Sequence, residues 1–481
     1  MYRKCAILLF SLFLAAAPLW AQYWTKYEVR TSEIVGDDVM SLAFDAKGNL
    51  WVGTTLGLCR LSGRTWTDYA MFNKKLKDQF INCIAVDKRG VLWIGTDDYG
   101  VFEFNGTHWT EHPKELHKYN MQLIRDIAVD KEGVVWIGVT LSGLVRFDGK
   151  EWKKYTADAS GLKSDFIMDI AIDKDNRKWV ATNEGVSMFD GNNWTTYNKS
   201  NSPLPINNVP AIAIDRRDTK WIGTIEGLCR FDDTDWAIFD KHNSPLPDNQ
   251  VNALCFDAQG ALWIATQGGV AVTDGRGNWK TFTPSNSILP AVGIRNIAID
   301  SKGCKWFGTQ GKGLFRFAGA GICGRILDDQ GKPVPDFTLV CGNSRATTDK
   351  NGNYYFEVPM GFSGEVKPAE DANLEPASVN VEPLKGFLFL KPMVKSRGMV
   401  AKGNSTEKVM VLPNLAEGHI TISLESPTAE IEFVNAKGES VRTVPNYKNG
   451  AKITISKMPK GSYTLYIRTK KGEKSLQFNL K

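Results

Sequence analysis

From about residue 39 to residue 317 the chain alternates short apolar runs with short polar turns, and the runs never reach the length of a helix. The stretch INCIAVDKRGVLWIGTDDYGVFEFNGTHWTEH, residues 81–112, shows the pattern once. INCIAV is apolar and β-branched, DKRG is a turn, LWIGT is a second run, and a loop closed by Gly100 leads to VFEF. A turn at NG then precedes HWTEH. Runs this short, separated by Gly, Asn and Asp, predict four antiparallel strands. The pattern recurs. Trp51, Trp93, Trp136, Trp179, Trp221, Trp263 and Trp306 follow one another at spacings of 42, 43, 43, 42, 42 and 43. Six residues before each stands an aspartate: Asp45, Asp87, Asp130, Asp173, Asp215, Asp257 and Asp300. An Asp heading a turn can accept hydrogen bonds from the backbone two residues on, so these seven are read as turn-forming, not as ligands.

A unit of about 42 residues holding four short strands is the sequence signature of a propeller blade, whose sheets pack radially around a channel. Six units end on a Trp-x-x-aromatic or Trp-x-x-His element, at Trp66, Trp109, Trp152, Trp194, Trp236 and Trp279. The seventh stops at GLFRFAGAG with none. The missing element stands at the other end, as Trp24-x-x-Tyr27. The N-terminal strand is therefore expected to complete the last blade, which also covers an edge that would otherwise template aggregation. Of the 15 tryptophans, all but Trp20 occupy the two repeated positions. Identical recurrence assigns them to packing between blades instead of sugar stacking.

The motif D-x-x-G-x-x-W-[IV]-G-T-x-x-G-[LV] resembles the two-component regulator propeller repeat, over residues 23–321, with Ala181 and Ala265 replacing the middle Gly in two units. The resemblance implies a propeller of the kind found in periplasmic sensor parts of bacterial hybrid kinases. Kinase-linked members continue into a membrane helix and a kinase; this chain continues otherwise, so kinase-linked signalling is not expected.

From Ile322 the repeat gives way to GRILDDQGKPVPDFTLVCGNSRATTDKNGNYYFEVP, strands separated by tight turns. Residues 322–395 resemble the carboxypeptidase regulatory-like (transthyretin-like) β-sandwich, which implies a spacer. A polar linker is expected over 396–406. Residues 407–481 look like a type IX secretion C-terminal sorting domain. The features that carry this are Pro413-Asn414 opening its first strand, Lys437-Gly438-Glu439 in a hairpin, and Met458 to Tyr463 before the last strands. The expected fold class is all-β: a seven-bladed β-propeller over 22–321 followed by two small β-sandwich domains.

Composition adds destination. Arg3 and Lys4, the apolar run AILLFSLFLAAAPLW and Ala21 before Gln22 have the build of a signal peptide cleaved after Ala21. No later stretch approaches the roughly 20 apolar residues of a membrane span. With the sorting resemblance, the expected route is through the periplasm to secretion or the outer-membrane cell surface, with the type IX translocon as partner of the C-terminal domain. Charge excludes one class of ligand. The +6 net charge resides in the tail, where residues 396–481 carry 14 Lys+Arg against 7 Asp+Glu, and upstream the balance is 45 against 46. No basic face tracks a phosphate backbone, so no nucleic acid is expected.

Seven cysteines follow the signal, an odd number in a disulfide-permissive compartment. Bridges between neighbouring blades (Cys59 with Cys83, Cys229 with Cys255), a bridge between Cys323 and Cys341, and buried free thiols all fit. For catalysis the residues offer little. His108 and His112 lie on a strand, too far apart along it to share one zinc, and no GxSxG, HExxH or phosphate loop occurs. The expectation is no enzyme, no cofactor, no metal site and no catalytic residue. Seven-bladed streptogramin lyases resemble this kind of repeat and use a His with a divalent metal; His242 is the candidate for that alternative. A second alternative is a component of the type IX cell-surface attachment machinery.

Binding is placed instead on the loops between the second and third strands, which vary while the scaffold repeats. Asp97, Asp98, Tyr99, Glu184, Glu226, Gln267, Gln310 and Lys312 are expected to converge on one rim, joined by Arg125 and Arg295 at the start of inner strands. Such a mixture suits a glycan, lipopolysaccharide or protein ligand.

Overall fold

The structure is a computed structural model. It describes residues 23–112, 121–370, 374–395, 399–400, 409–414, 419–455 and 457–480. The expected signal peptide lies outside the described residues, as does most of the expected linker. The chain divides into two compact units, Met1–Gly319 and Ala320–Lys481.

The first unit consists of seven four-stranded antiparallel sheets. Their innermost strands are Val39–Phe44, Ile81–Val86, Ile124–Val129, Ile167–Ile172, Ala211–Ile214, Val251–Phe256 and Ile294–Ile299. Each lies against the next, and the last lies against the first, which closes the ring. The seventh sheet takes its outer strand from the N-terminus, as the misplaced Trp-x-x-aromatic predicts: Trp24–Tyr27 runs antiparallel to Leu314–Phe317, with Trp24 opposite Phe317 and Tyr27 opposite Leu314. Trp24 is 7% exposed, and its ring lies 4.7 Å from that of Phe317 and 5.7 Å from that of Phe282 in the sixth sheet. The closing strand is thus held by aromatic packing as well as by its hydrogen bonds.

Second strands such as Leu50–Thr54, Leu92–Thr96 and Leu262–Thr266 are buried throughout, as strands packed on both faces must be. The repeated aspartates do cap their turns: Asp45 Oδ1 accepts the backbone N–H of Lys47 at 3.0 Å and of Asn49 at 2.9 Å. They also do something the spacing alone does not reveal. The second carboxylate oxygen accepts the indole N–H of the tryptophan six residues on, in five sheets, at 3.1, 3.0, 2.9, 3.1 and 3.3 Å. Burial raises the pKa of Asp45, Asp130 and Asp173, but these hydrogen bonds outweigh it and hold all three carboxyls below their ordinary range.

The second unit holds two two-sheet cores. In the first, Gly319–Asp328 pairs in parallel with Phe387–Phe389 and Met393–Lys395, while Thr338–Cys341 lies between Ser344–Thr347 and Gly364–Pro368 in the facing sheet. Ile322, Leu339, Phe356 and Val366 fill the space between. The second core packs Val409, Val411 and Ile422 of one sheet on Ile431, Phe433 and Leu465 of another. Two details differ from expectation. Pro413 and Asn414 close the strand Val409–Asn414 instead of opening it, because the pairing with His419–Leu424 begins upstream at Val409. Met399 and Val400, expected in a linker, pair with Val411 and Met410.

The seven described cysteines form no disulfide, so neither the blade-to-blade bridges nor a Cys323–Cys341 bridge is present. Six of them are buried as small residues within the cores. Burial pushes the Cys59, Cys229 and Cys255 thiols up to about 12.

Candidate functional site

Six of the seven innermost strands begin with the same irregularity. The register with the second strand slips by one residue between Val39 and Ser41, Ile81 and Cys83, Ile124 and Asp126, Ile167 and Asp169, Val251 and Ala253, and Ile294 and Asn296. A β-bulge leaves one residue unpaired and re-aims its side chain. Here the bulged residues are Met40, Asn82, Arg125, Met168, Asn252 and Arg295; in the fifth sheet Pro210, which cannot donate to a ladder, stands just before the strand at the same place. All seven line one cavity of about 490 Å³, together with Phe166, Gln250, Gln267, Gly293 and Gln310. A Cβ at Gly293 would meet the end of the Gln267 side chain.

The lining is amide-rich and cationic. Asn82 Nδ2 donates to Ile124 O at 3.0 Å and Asn252 Nδ2 to Ile294 O at 2.9 Å, bonds that join neighbouring blades and fix both amides. Arg295 is paired, its Nε 2.9 Å from Asp38 Oδ1. Arg125 is different: its Nε donates to Thr140 Oγ1 at 3.2 Å, and among the described residues it makes no ion pair. Behind the lining, Asp126 and Asp169 share a hydrogen bond. Burial pushes both carboxyls up, and the neighbouring Asp126 charge lifts Asp169 well above the usual range. Asp126 Oδ2 accepts Ile170 N–H at 2.9 Å and Asp169 Oδ2 accepts Ile212 N–H at 2.7 Å, so the pair ties three consecutive blades.

Residues 33–55, 75–98 and 245–268 match the family model of the two component regulator propeller, and residues 410–480 match the secretion system C-terminal sorting domain. The chain carries propeller repeats and a sorting tail. Among solved structures it is similar to the extracellular domain of BT3049, titled for a hybrid two component system, from B. thetaiotaomicron. That likeness has 17% identity and a TM-score of 0.54, over 95% of this chain and 57% of that one. The chain therefore spans little more than half of that domain. It is also similar to the virginiamycin B lyase from Staphylococcus aureus, at 13% identity and a TM-score of 0.50, over 61% of this chain and 98% of the lyase. At such identities the likeness establishes the fold alone. No curated protein matches the sequence.

Within this propeller frame the ten residues expected on the rim divide. Arg125, Gln267, Arg295 and Gln310 line the cavity. Asp97 reaches its edge indirectly, as acceptor of a short hydrogen bond from Asn82. Asp98, Tyr99, Glu184, Glu226 and Lys312 are exposed side chains that do not line it. They stand two or three residues beyond the second strand, whereas Gln267 and Gln310 follow it directly. The residues the sequence reading missed are Met40, Asn82, Phe166, Met168, Pro210, Gln250, Asn252 and Gly293. A usable signal existed, because the bulge positions recur at the same spacing as the tryptophans.

His242 lies in an exposed turn, its backbone N–H bonded to Asp240 Oδ1 at 2.7 Å, and does not line the cavity. His108 sits in an exposed turn before the strand Trp109–Glu111, while His112 stacks on Trp93 with ring centroids 5.7 Å apart. Among the described residues no cluster of three or more His, Cys, Asp or Glu is placed to hold a metal ion, and no helix is long and apolar enough to cross a membrane.

Proposed function

We propose that this protein is a non-enzymatic binding protein of the cell surface or the extracellular medium, exported through the type IX translocon by its sorting domain. Its propeller cavity takes an anionic, hydroxyl-rich ligand: an acidic cell-surface glycan or the glycan of lipopolysaccharide. The observation that carries this reading is Arg125, a guanidinium with no ion pair among the described residues, facing a cavity that the amides of Asn82, Gln250, Asn252, Gln267 and Gln310 also line. Amides bond hydroxyl groups as both donors and acceptors, and a guanidinium pairs a carboxylate or phosphate bidentately. Phe166, Met40, Met168 and Pro210 supply the apolar contact that a sugar ring's C–H face takes. The middle domain, with its transthyretin-like resemblance, is assigned a spacer role. The lyase reading finds no support from His242, which is remote from the cavity lining.

The test is titration of the full mature chain with purified acidic polysaccharide, lipopolysaccharide and a neutral polysaccharide as control. Binding to at least one acidic ligand is expected, with Arg125→Ala weakening it about tenfold or more, the value of one lost charge-assisted contact. Equal affinity of Arg125→Ala and wild type, or absence of binding to every acidic ligand, overturns the proposal.

A further inference from the structure

At the opposite end of the blades from that cavity, a second cleft of about 520 Å³ opens between the second and third sheets, lined by Trp93, Glu103, Val135, Phe147 and the turns at Asp87 and Asp130. Its meaning comes from comparing the seven inner tryptophans. Two neighbouring positions can place a cation over each ring. One is the residue opposite the tryptophan on the third strand; the other precedes the tryptophan of the next blade. Arg60 and Arg316 occupy the first position over Trp51 and Trp306, each 5.5 Å from the ring centroid. Lys178, Lys220 and Lys305 occupy the second over Trp136, Trp179 and Trp263, at 4.9, 4.9 and 5.0 Å. Trp221 has Arg230 opposite it in register. Trp93 alone has a basic residue at neither position: Glu103 stands opposite it and Val135 precedes the next tryptophan.

The rest of the Trp93 surroundings matches its siblings. His112 stacks on it at 5.7 Å and 12°, as Tyr197 stacks on Trp179 at 5.7 Å and 12°. Phe147 meets its edge at 6.0 Å, as Phe231 meets Trp179 at 6.3 Å. The cation is replaced by open volume and by the Glu103 carboxylate, whose Oε2 lies 3.6 Å from His112 Nε2. A second observation points to an occupant. Trp93 is 2% exposed, yet its indole N–H, like that of Trp221, has no hydrogen-bond partner among the described residues, whereas the other five sibling tryptophans donate to their turn aspartate. Asp87 is engaged by Arg89 instead, at 2.9 Å through Nε and 2.8 Å through a terminal nitrogen. A buried donor left unsatisfied is costly.

We propose that this cleft binds a small organic ammonium ion from outside the chain. The ammonium would sit over the Trp93 face beside Glu103, where the other blades place their own Lys or Arg, and an oxygen of the ligand would accept the Trp93 indole N–H. The chemistry is shared by free amino alcohols and by lysine side chains, so the probes are ethanolammonium, which carries an acceptor oxygen, and n-butylammonium, the end of a lysine side chain. The measurement follows the indole N–H resonances of the full mature chain at pH 8. Trp93→Phe identifies the resonance. Saturable displacement of that resonance by either probe is expected. The larger affinity assigns the source: ethanolammonium for a free amino alcohol, butylammonium for a lysine side chain. Glu103→Gln should weaken binding about tenfold. Val135→Lys, a residue three sibling sites already carry, should fold normally and abolish binding by filling the cleft from within. No displacement of the Trp93 resonance by either probe, or binding that persists in a folded Val135→Lys protein, overturns the proposal.

Discussion

Replacing Lys305 with leucine should stabilise the propeller near neutral pH and remove a defined part of its pH dependence. The Lys305 side chain is wholly buried, its ammonium 5.0 Å from the Trp263 ring centroid and 5.9 Å from that of Phe317. Burial lowers its pKa from 10.5 to about 8, and the charges of Asp257, Cys304 and Asp300 restore only part of the loss. The folded value lies below the unfolded one, which sets the sign. Below about pH 8 both states are protonated and the fold carries the whole cost of burying the charge. Between about pH 8 and 10.5 the folded state gives up its proton first, so stability rises with pH. The interval corresponds to about 3 kcal/mol, most of it gained between pH 7 and pH 10. Leucine is compatible with the site, since Leu50, Leu92 and Leu262 occupy the same place in other blades. Urea denaturation of both proteins at pH 7 and pH 10 is the assay. Tyr27, Tyr69 and Tyr197 and the buried thiols have raised pKa values and titrate with the opposite sign in this range; because both proteins contain them, the difference between the two isolates Lys305. Lys305→Leu should be the more stable at pH 7, and its advantage should shrink by about 2 to 3 kcal/mol at pH 10. An unchanged difference at the two pH values would refute the reasoning.

Trp24→Ala removes the main anchor of the closing strand and should cost about 3 to 5 kcal/mol, read as a lowered midpoint in thermal or urea unfolding; a change under about 1 kcal/mol would mean that the seventh sheet holds without it. Asp173→Asn should cost about 1 to 3 kcal/mol at pH 7. Hydrogen bonds from Trp179 and Arg177 hold the Asp173 carboxyl below its ordinary range against the effect of burial. Its contribution is therefore present above the ordinary carboxylate pKa and lost as pH falls through the depressed one, and the variant's acid unfolding limb should be correspondingly shallower. The six buried thiols should react slowly with a thiol reagent at pH 8 in the native chain and fully in denaturant. Prompt native reaction at Cys59 or Cys229 would contradict their burial.

What the sequence showed and what it concealed separate along a physical line. Closure was legible because it is a matter of counting: six terminal Trp-x-x elements for seven units leave one strand to be found, and Trp24 opposite Phe317 is where it went. The turn role of the aspartates was legible because a turn is local. Their bond to the indole N–H was not, because it depends on the second strand carrying each tryptophan back across the turn, and it is missing in two blades, at Trp93, where Arg89 takes Asp87, and at Trp221. The site was harder for a related reason. Loop composition drew attention to Asp98, Tyr99, Glu184, Glu226 and Lys312, but these stand two or three residues beyond the second strand, whereas Gln267 and Gln310, which line the cavity, follow that strand directly. The bulge that turns Met40, Asn82, Arg125, Met168, Asn252 and Arg295 inward is a one-residue slip of register, and a slip leaves no mark in an alternation of apolar and polar letters. Only Arg125 and Arg295 announced themselves, because a charge at the head of an apolar strand needs a reason. Superposing the seven units by their tryptophans exposes the remainder. Where backbone geometry repeats while side chains run Met, Asn, Arg, Met, Pro, Asn and Arg, packing imposes no common demand, so the choice of residue is free to answer to whatever occupies the channel. The same superposition isolates Glu103 and Val135, the one pair that withholds a cation from its tryptophan. In a repeat protein the departures from the repeat are the places to look for function, and here they fall at the two ends of the same ring.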